Sequence, residues 1–365
     1  MQRRRLFYAF VVAVAAASVV LLAQQSGHTV QGALTMNPTN SGVWLEPTST
    51  ICIGRFLLDV PKAAVVQSVK GASGSATALA IAPTTLQDFR QQLKARWDEI
   101  RPRLADEYGK PYLKAPELVE VVPDGMVLNY DHVLTRGPDV TGKSGEWRVH
   151  TTEGHLWKEG VTYRFDEGNE QGILQFMRTL QPMAMDQVPS NPGFCGPRAF
   201  IAGGPRDEFV ELHVVFGADP PVSLHVSTST YVDAMGLDQL RPPRASAASM
   251  PKEHRFRGHL IAEGPARVGA LEGLEWIVGY TEQKSETDYL TTVSATWFGE
   301  GVASSSDRPA VRLQMARTYR SSEPPDPWGA FPQAPGGTAP TAERDAFMGS
   351  WGAVKSSFRL RPAAL

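Results

Sequence analysis

The stretch "EWRVHTTE", residues 146–153, returns as "EWIVGYTE", residues 275–282, with Glu, Trp, Val, Thr and Glu in the same places. Both are rich in β-branched and aromatic residues and alternate in polarity, the pattern of a half-buried strand. A strand that recurs within 365 residues asks for the chain to be read as two like halves.

The segments that open and close the halves agree as well. "CIGRF" at 52–56 resembles "CGPRAF" at 195–200, setting Cys52 beside Cys195 and Arg55 beside Arg198. "MRTLQP", ending at Pro182, resembles "SFRLRP", ending at Pro362, and both read as the ends of closing helices. Three matches in one order argue for an old duplication with loop changes, not a short-period solenoid. They place a first domain at 49–187 and a second at 190–363. The second is longer chiefly through "SSEPPDPWGAFPQAPGGTAPTAE", residues 321–343, whose prolines and glycines cannot continue a helix or a central strand. That segment reads as a surface insertion.

Within the first half, "ICIGRFLLDV" reads as one strand stopped by Pro61, on which Cys52 shares parity with Phe56, Leu58 and Val60. "TTLQDFRQQLKARWDEIRPRL" then places Leu86, Phe89, Leu93, Trp97, Ile100 and Leu104 on one face of a helix, with a capping box at Thr84 and Gln87 and a bend at Pro102. "LVEVV", "GMVLNYDHVLT", "GEWRVHTT" and "VTYRF" follow as strands between Gly and Pro turns, and Ile173, Phe176, Met177 and Leu180 line the closing helix. The second half repeats the scheme with "EFVELHVVF", "VSLHVSTSTY", "HRFRGHLIAEG", "EWIVGYTE", "YLTTVSATWF" and "VRLQMARTY", closed by a helix bearing Phe347, Trp351, Val354 and Phe358. The fold class is α+β, two tandem similar domains, each an antiparallel sheet with packed helices.

Composition narrows the function. With 36 basic against 38 acidic residues and a net charge of −2, the chain has no footprint for nucleic acid. Arg3, Arg4 and Arg5 precede an uncharged apolar run, residues 6–23, so residues 1–23 read as a signal anchor or a signal peptide that exports the rest, with 24–48 as a tether. The expectation is a periplasmic protein associated with the inner membrane through residues 6–23. Export matters for the two cysteines, Cys52 and Cys195: they are a disulfide candidate in a compartment where such bonds persist, or else two separate buried thiols. A bridge between them would contribute at most roughly 5 kcal/mol in the chain-entropy model.

Several motifs invite chemistry and fail on context. Gly137-(x4)-Gly142-Lys143-Ser144 matches a phosphate-binding loop, which works through the N-terminus of a following helix. Here a strand follows, so the loop joins two strands of a hairpin. "HTTEGH" offers His150, Glu153 and His155, but zinc ligation of that kind needs consecutive helical turns. His213 and His225 fall on adjacent strands and can approach each other, without a carboxylate or cysteine set to complete a metal site. No Gly-x-Ser-x-Gly elbow occurs, and Glu-Trp in both halves reads as packing. The expected catalytic, cofactor-binding and metal residues are therefore none.

"CIGRFLLDVP", "GFCGPRAFI", "GALEGLEWIVGYTEQ", "TWFGEG", "RPAVRLQM" and the final "SFRLRP", behind an exported start, resemble the periplasmic immunity proteins that neutralise type VI secretion lipase effectors. The resemblance spans about residues 46–362. It implies a pincer-like arrangement with an inter-domain cleft, a protein partner in the form of a type VI lipase effector, and no catalysis or cofactor. Members of that family are often lipid-anchored through a Cys after the signal, which this sequence lacks. The alternative is a non-enzymatic envelope binding or scaffold protein with a non-toxin partner. Aromatic candidates for partner contact are Trp157, Tyr163, Trp297 and Trp328, the first three equally suited to the core; the sequence does not fix the interface or the oligomeric state.

Overall fold

The ten residues "ICIGRFLLDV" form two strands, not one. In the computed structural model, β1 (Thr48–Ile53) turns at Gly54 and Arg55 into β2 (Phe56–Pro61), with Cys52 opposite Leu57 and Ile53 opposite Phe56. Gly54 sits at φ 58°, a left-handed conformation that glycine adopts without a Cβ clash. The turn resets the parity: Cys52 shares a face with Leu57, while Phe56 and Leu58 join Ile51 and Ile53 on the other. Parity counting fails wherever a turn is hidden inside an apolar run.

The described residues are 47–322 and 341–364, apart from 74–75, 139–141, 167–169, 197, 204–207, 218–219, 231–255, 286, 303–304, 307 and 363. The expected signal segment 1–23, nearly all of the tether 24–48, most of the insertion 321–343 and Trp328 lie outside them. Among the described residues the protein is mostly β, with three helices and several antiparallel sheets.

The first half continues with β3 (Val65–Ser73), β4 (Ala76–Pro83), α1 (Leu86–Ile100), β5 (Glu117–Val122), β6 (Gly125–Pro138), β7 (Ser144–Lys158), β8 (Val161–Asp166), α2 (Glu170–Thr179) and β9 (Leu180–Pro182). The second runs through β10 (Gly193–Gly196), β11 (Ala199–Ala202), β12 (Glu208–Phe216), β13 (Val222–Ser229), β14 (Phe256–Val268), β15 (Leu271–Ser285), β16 (Asp288–Gly299), β17 (Ala310–Ser321), α3 (Thr341–Ser357) and β18 (Arg359–Leu360). Each long sheet run is a hairpin followed by a four-strand meander whose last strand returns beside the hairpin: β3-β4-β8-β7-β6-β5 and β12-β13-β17-β16-β15-β14. The halves share one topology. They do not keep separate sheets, because β3 and β12 pair antiparallel and join the two runs into one sheet of twelve strands.

This topology corrects the sequence reading in an instructive way. "EWRVHTTE" lies on β7, the third strand of its meander, and "EWIVGYTE" on β15, the second of its own. The match that pointed to duplication aligns strands that are not equivalent. The hairpins around Cys52 and Cys195, by contrast, are equivalent in register, since Cys52 faces Leu57 as Cys195 faces Phe200.

Helix α1 is capped one residue later than read. Thr85 Oγ1 accepts from Asp88 N at 3.1 Å and Asp88 Oδ2 from Thr85 N at 3.2 Å, a reciprocal box in place of Thr84 and Gln87. The helix stops before Pro102 instead of bending there: Arg101 still has helical dihedrals and donates to Trp97 O, but proline has no N–H with which to continue the ladder. Leu104 therefore leaves the helical face and is 63% exposed, while Phe89, Leu93 and Ile100 pack on Leu128 and Tyr130. Leu180 likewise belongs to β9 and Phe358 follows α3; both are buried. The main core runs through both halves, with Ile173, Phe176 and Met177 from α2 and Phe347, Trp351 and Val354 from α3.

By contact density, residues 133–149, the outer ends of β6 and β7, form a unit separate from 41–132 and 150–365. Within it Gly142 turns at φ 83° and Arg136 pairs with Glu146.

Candidate functional site

The two opening hairpins meet tip to tip. Gly54 N donates to Cys195 O at 2.8 Å, Cys195 N donates to Gly54 O at 2.7 Å, and a disulfide joins Cys52 to Cys195 with Cα atoms 5.8 Å apart. Both cysteines are buried among Leu57, Met183 and Phe200. Beside them Arg55 donates through Nε and Nη2 to the two carboxylate oxygens of Glu208, at 2.9 and 2.7 Å, and through Nη1 to Ala364 O. Arg361, 1% exposed, donates to the carbonyls of Pro189, Asn191 and Gly193 and lies over the Phe200 ring. This seam is built for cohesion, because Arg55 and Arg361 are both spent on a carboxylate or backbone carbonyls.

The "HTTEGH" residues separate into two settings. Glu153 is buried and accepts from Arg96 Nη2 at 2.8 Å and Tyr130 Oη at 3.2 Å, with His155 Nε2 2.7 Å from its other oxygen. Burial alone would raise its carboxyl pKa; the hydrogen bonds from His155 and Arg96 outweigh that and hold it at about 2. The cluster ties α1 to β7. His150 instead stacks on His132, ring centroids 5.0 Å apart. Burial, then the charge of His150, lowers the His132 pKa.

His213 and His225 do stand opposite each other, in register on β12 and β13. They lie on the sheet face away from Leu212, Val214, Leu224 and Val226, in a polar band with Glu211, Arg312 and Gln314. Burial lowers His213, and burial with the Arg312 and His213 charges takes His225 to about 4. The His225 side chain keeps 32% exposure, so water still reaches the ring. Burial raises Glu211, against the pull of Lys70 and Arg312. Among the described residues no group of three or more His, Cys, Asp or Glu is placed to hold a metal ion.

Other sequence candidates resolve by burial and pairing. Ser144 begins strand β7, so the Gly-Lys-Ser stretch lies in a hairpin with no helix N-terminus behind it. The two Glu-Trp pairs differ in setting: Glu275 accepts from Trp351 Nε1 at 2.7 Å and from Lys355, anchoring α3, whereas Glu146 pairs with Arg136 at the surface. Tyr163 and Trp297 are fully buried, donating to Arg198 O and Ala266 O, and Trp157 donates to Thr84 O. Those two core aromatics cannot serve a partner without unfolding.

One aromatic that the sequence reading passed over is presented to solvent. Tyr108 is 86% exposed on a turn held by Asp106, whose Oδ1 accepts from Tyr108 N at 3.0 Å and Lys110 N at 2.9 Å. Tyr112 N donates to Leu104 O and Asp106 N to Lys110 O, and Gly109 takes φ 78°. Leu104 and Leu113, 63% and 56% exposed, flank it. The signal in sequence was "ADEYGKPY": an Asp two residues before an aromatic, then Gly and Pro, which is turn chemistry with an apolar payload.

Fold and clusters together define a two-part, disulfide-linked antiparallel β protein whose buried ionisable groups tie its elements together. Family models for the Tle cognate immunity protein 4 N-terminal domain and C-terminal domain match residues 49–168 and 187–363. The chain belongs to the Tle cognate immunity protein 4 family, immunity proteins of the type VI secretion system that are not enzymes. Its fold is similar to that of a chain in the crystal structure of the Tle4–Tli4 complex, at 20% identity and TM-score 0.61 over 86% of this chain and 98% of that one. It is also similar to the apo immunity protein TplEi of the type VI system from Pseudomonas aeruginosa, at 19% identity and TM-score 0.57 over 88% and 99% of the two chains. TplEi complexed with "L" peptide aligns at 20% identity and TM-score 0.57 over 86% and 98%. No curated protein matches the sequence.

Proposed function

We propose that this protein protects its producing cell by binding a type VI secretion phospholipase effector in the periplasm and blocking its activity. The observation that carries this reading is the match of both family models, in order, across nearly all of the described chain. In this reading residues 1–23 export the protein and residues 6–23 hold it at the inner membrane, supported by three arginines ahead of an apolar run. The two halves act as a pincer, with the effector in the cleft between them. Tyr108, flanked by Leu104 and Leu113, supplies an aromatic anchor of the kind that dominates protein interfaces.

The test is a titration of residues 24–365 into the lipase encoded beside its gene, following complex formation and phospholipid hydrolysis together. Stoichiometric loss of hydrolysis with a stable complex is the expected result. Folded protein that neither binds nor inhibits would overturn the pairing.

A further inference from the structure

The two halves share one order of strands, an opening hairpin, six sheet strands and, behind a helix, a short closing strand, with α1 following β4 in the first half. Neither closing strand pairs within its own half. The first half's β9 adds to β11 of the second, with Leu180 opposite Ile201 and Pro182 opposite Ala199. The second half's β18 adds to β2 of the first, with Arg359 opposite Leu57 and Leu360 opposite Phe56. The two additions are one bond pattern made twice. Met183 N donates to Arg198 O and Arg361 N donates to Arg55 O, each at 2.9 Å, and Arg55 and Arg198 are the twin turn residues of the opening hairpins. Two further contacts obey the same two-fold relation: Cys52 is bonded to its own twin, and β3 pairs antiparallel with β12, the strand that follows the other hairpin. The backbone exchange between Gly54 and Cys195 lies outside that relation, because the twin of Cys195 is Cys52.

An isologous set of contacts, in which position i meets j and j meets i, is the signature of a symmetric dimer, and mutual donation of an end strand is how exchanged dimers interlock. We propose that this chain is a fused strand-exchanged dimer: the free edges of β2 and β11 are docking sites for the other half's closing strand, and the halves hold together without the segment connecting them. The second half's strand also carries a side-chain link to the half it joins, since Arg359 donates to both carboxylate oxygens of Asp59 on β2, at 2.9 and 3.2 Å. Strand addition draws its strength from main-chain hydrogen bonds and its register from the side chains beside them, so Arg359 sets the register on the β2 side.

The experiment uses the whole chain, with a protease site inserted between the exposed Gln187 and Val188. The protein also carries Cys52→Ser and Cys195→Ser, because the buried bond is shielded from reductant in the folded state; it is cleaved, leaving no covalent link between the halves, and is passed through size exclusion. Co-elution as one 1:1 particle, with near-ultraviolet dichroism unchanged, is the expected result. Separation of the fragments, folded or not, overturns the proposal. A second variant, Arg359→Ala, which removes the link from β18 to Asp59, distinguishes strand exchange from sheet pairing through β3 and β12 alone. It should lower the urea midpoint for separation of the cleaved fragments more than it lowers the unfolding midpoint of the uncleaved chain. Equal shifts would mean that the closing strand adds nothing between the halves.

Discussion

Arg55 and Glu208, one in the first opening hairpin and the other at the start of β12, form a bidentate ion pair with side chains 2% and 7% exposed. Removal of one partner leaves a buried charge uncompensated, which costs about 3–5 kcal/mol. Glu208→Ala should lose that much in urea denaturation at pH 7. Arg55→Met combined with Glu208→Leu should recover a large part, because well-packed apolar pairs often match buried ion pairs in stability. A single variant within about 0.5 kcal/mol of the parent, the range of an ordinary surface change, would mean that water reaches the pair.

The Cys52–Cys195 bond closes a long loop, with a sequence separation of 143. On the chain-entropy model such a cross-link contributes about 5 kcal/mol as an upper limit. The Cys52→Ser, Cys195→Ser variant should therefore lose about 3–5 kcal/mol at equilibrium while keeping the far-ultraviolet dichroism of the parent. The same loss should appear when the parent is unfolded under reducing conditions. An unchanged midpoint in both experiments would show that the unfolded chain keeps enough residual structure across this loop for the cross-link to remove little entropy.

What the sequence made legible was strand content and duplication; what it hid was the way the halves join. Period-2 alternation located β12 at "EFVELHVVF" to the residue, because one face is buried and one is not. β3 and β4, "VVQSVKGAS" and "ATALAIAP", were missed: small residues blur the alternation, and nothing local says that β3 will be covered by β12 rather than by solvent. Repetition at Glu-Trp pointed to two like halves, but through strands that are not equivalent and with no sign of their common sheet, since eight-residue strands of similar composition resemble one another whatever their place in a meander. Interactions such as Arg55 with Glu208, 153 residues apart, have no local signature at all.

Glu153, on β7, offers a separate test through its hold on Arg96 of α1. Its carboxyl is held at about 2 against an ordinary value of 4.5, so the native state binds fewer protons than the unfolded state between those values. That stabilisation is fully present above about pH 4.5 and is lost as pH falls toward 2. Glu153→Gln should destabilise by about 3 kcal/mol at pH 7, the low end for breaking a buried pair, since Arg96 is 30% exposed. Unfolding at a series of pH values should show the gap between parent and variant closing below pH 4.5. A gap independent of pH would assign Glu153 a packing role only.

Histidines push acid sensitivity to higher pH. His132, His213 and His225 all have lowered pKa values, so the unfolded chain takes up protons below about 6.5 while the native protein resists. Stability from these groups is present above 6.5 and declines as pH falls toward 4, with Glu211, whose pKa is raised, offsetting part of the loss. His213→Gln with His225→Gln should flatten the pH dependence of the melting temperature between 6.5 and 4. An unaltered slope in that window would place the sensitivity at His132, where His132→Gln is the next variant.

Tyr108 separates binding from stability. Its ring is 86% exposed and its turn is held by main-chain and Asp106 hydrogen bonds, so Tyr108→Ala removes no core contact and should leave the melting temperature within about 1 °C, as surface changes do. The turn costs little entropy to dock because it is already ordered, and an aromatic anchor of this kind is worth about 2 kcal/mol or more at an interface centre, roughly a thirtyfold loss of affinity on removal. Asp106→Ala should act through the turn: it frees the backbone amides of Tyr108 and Lys110 and should weaken effector binding by a smaller factor, with slower association. The measurement is a titration of parent, Tyr108→Ala and Asp106→Ala into the effector, with inhibition of phospholipid hydrolysis read in parallel. Full inhibition by Tyr108→Ala at the parent's stoichiometry and affinity would remove this turn from the interface and direct the search to the polar band of Glu211, His213, His225 and Arg312.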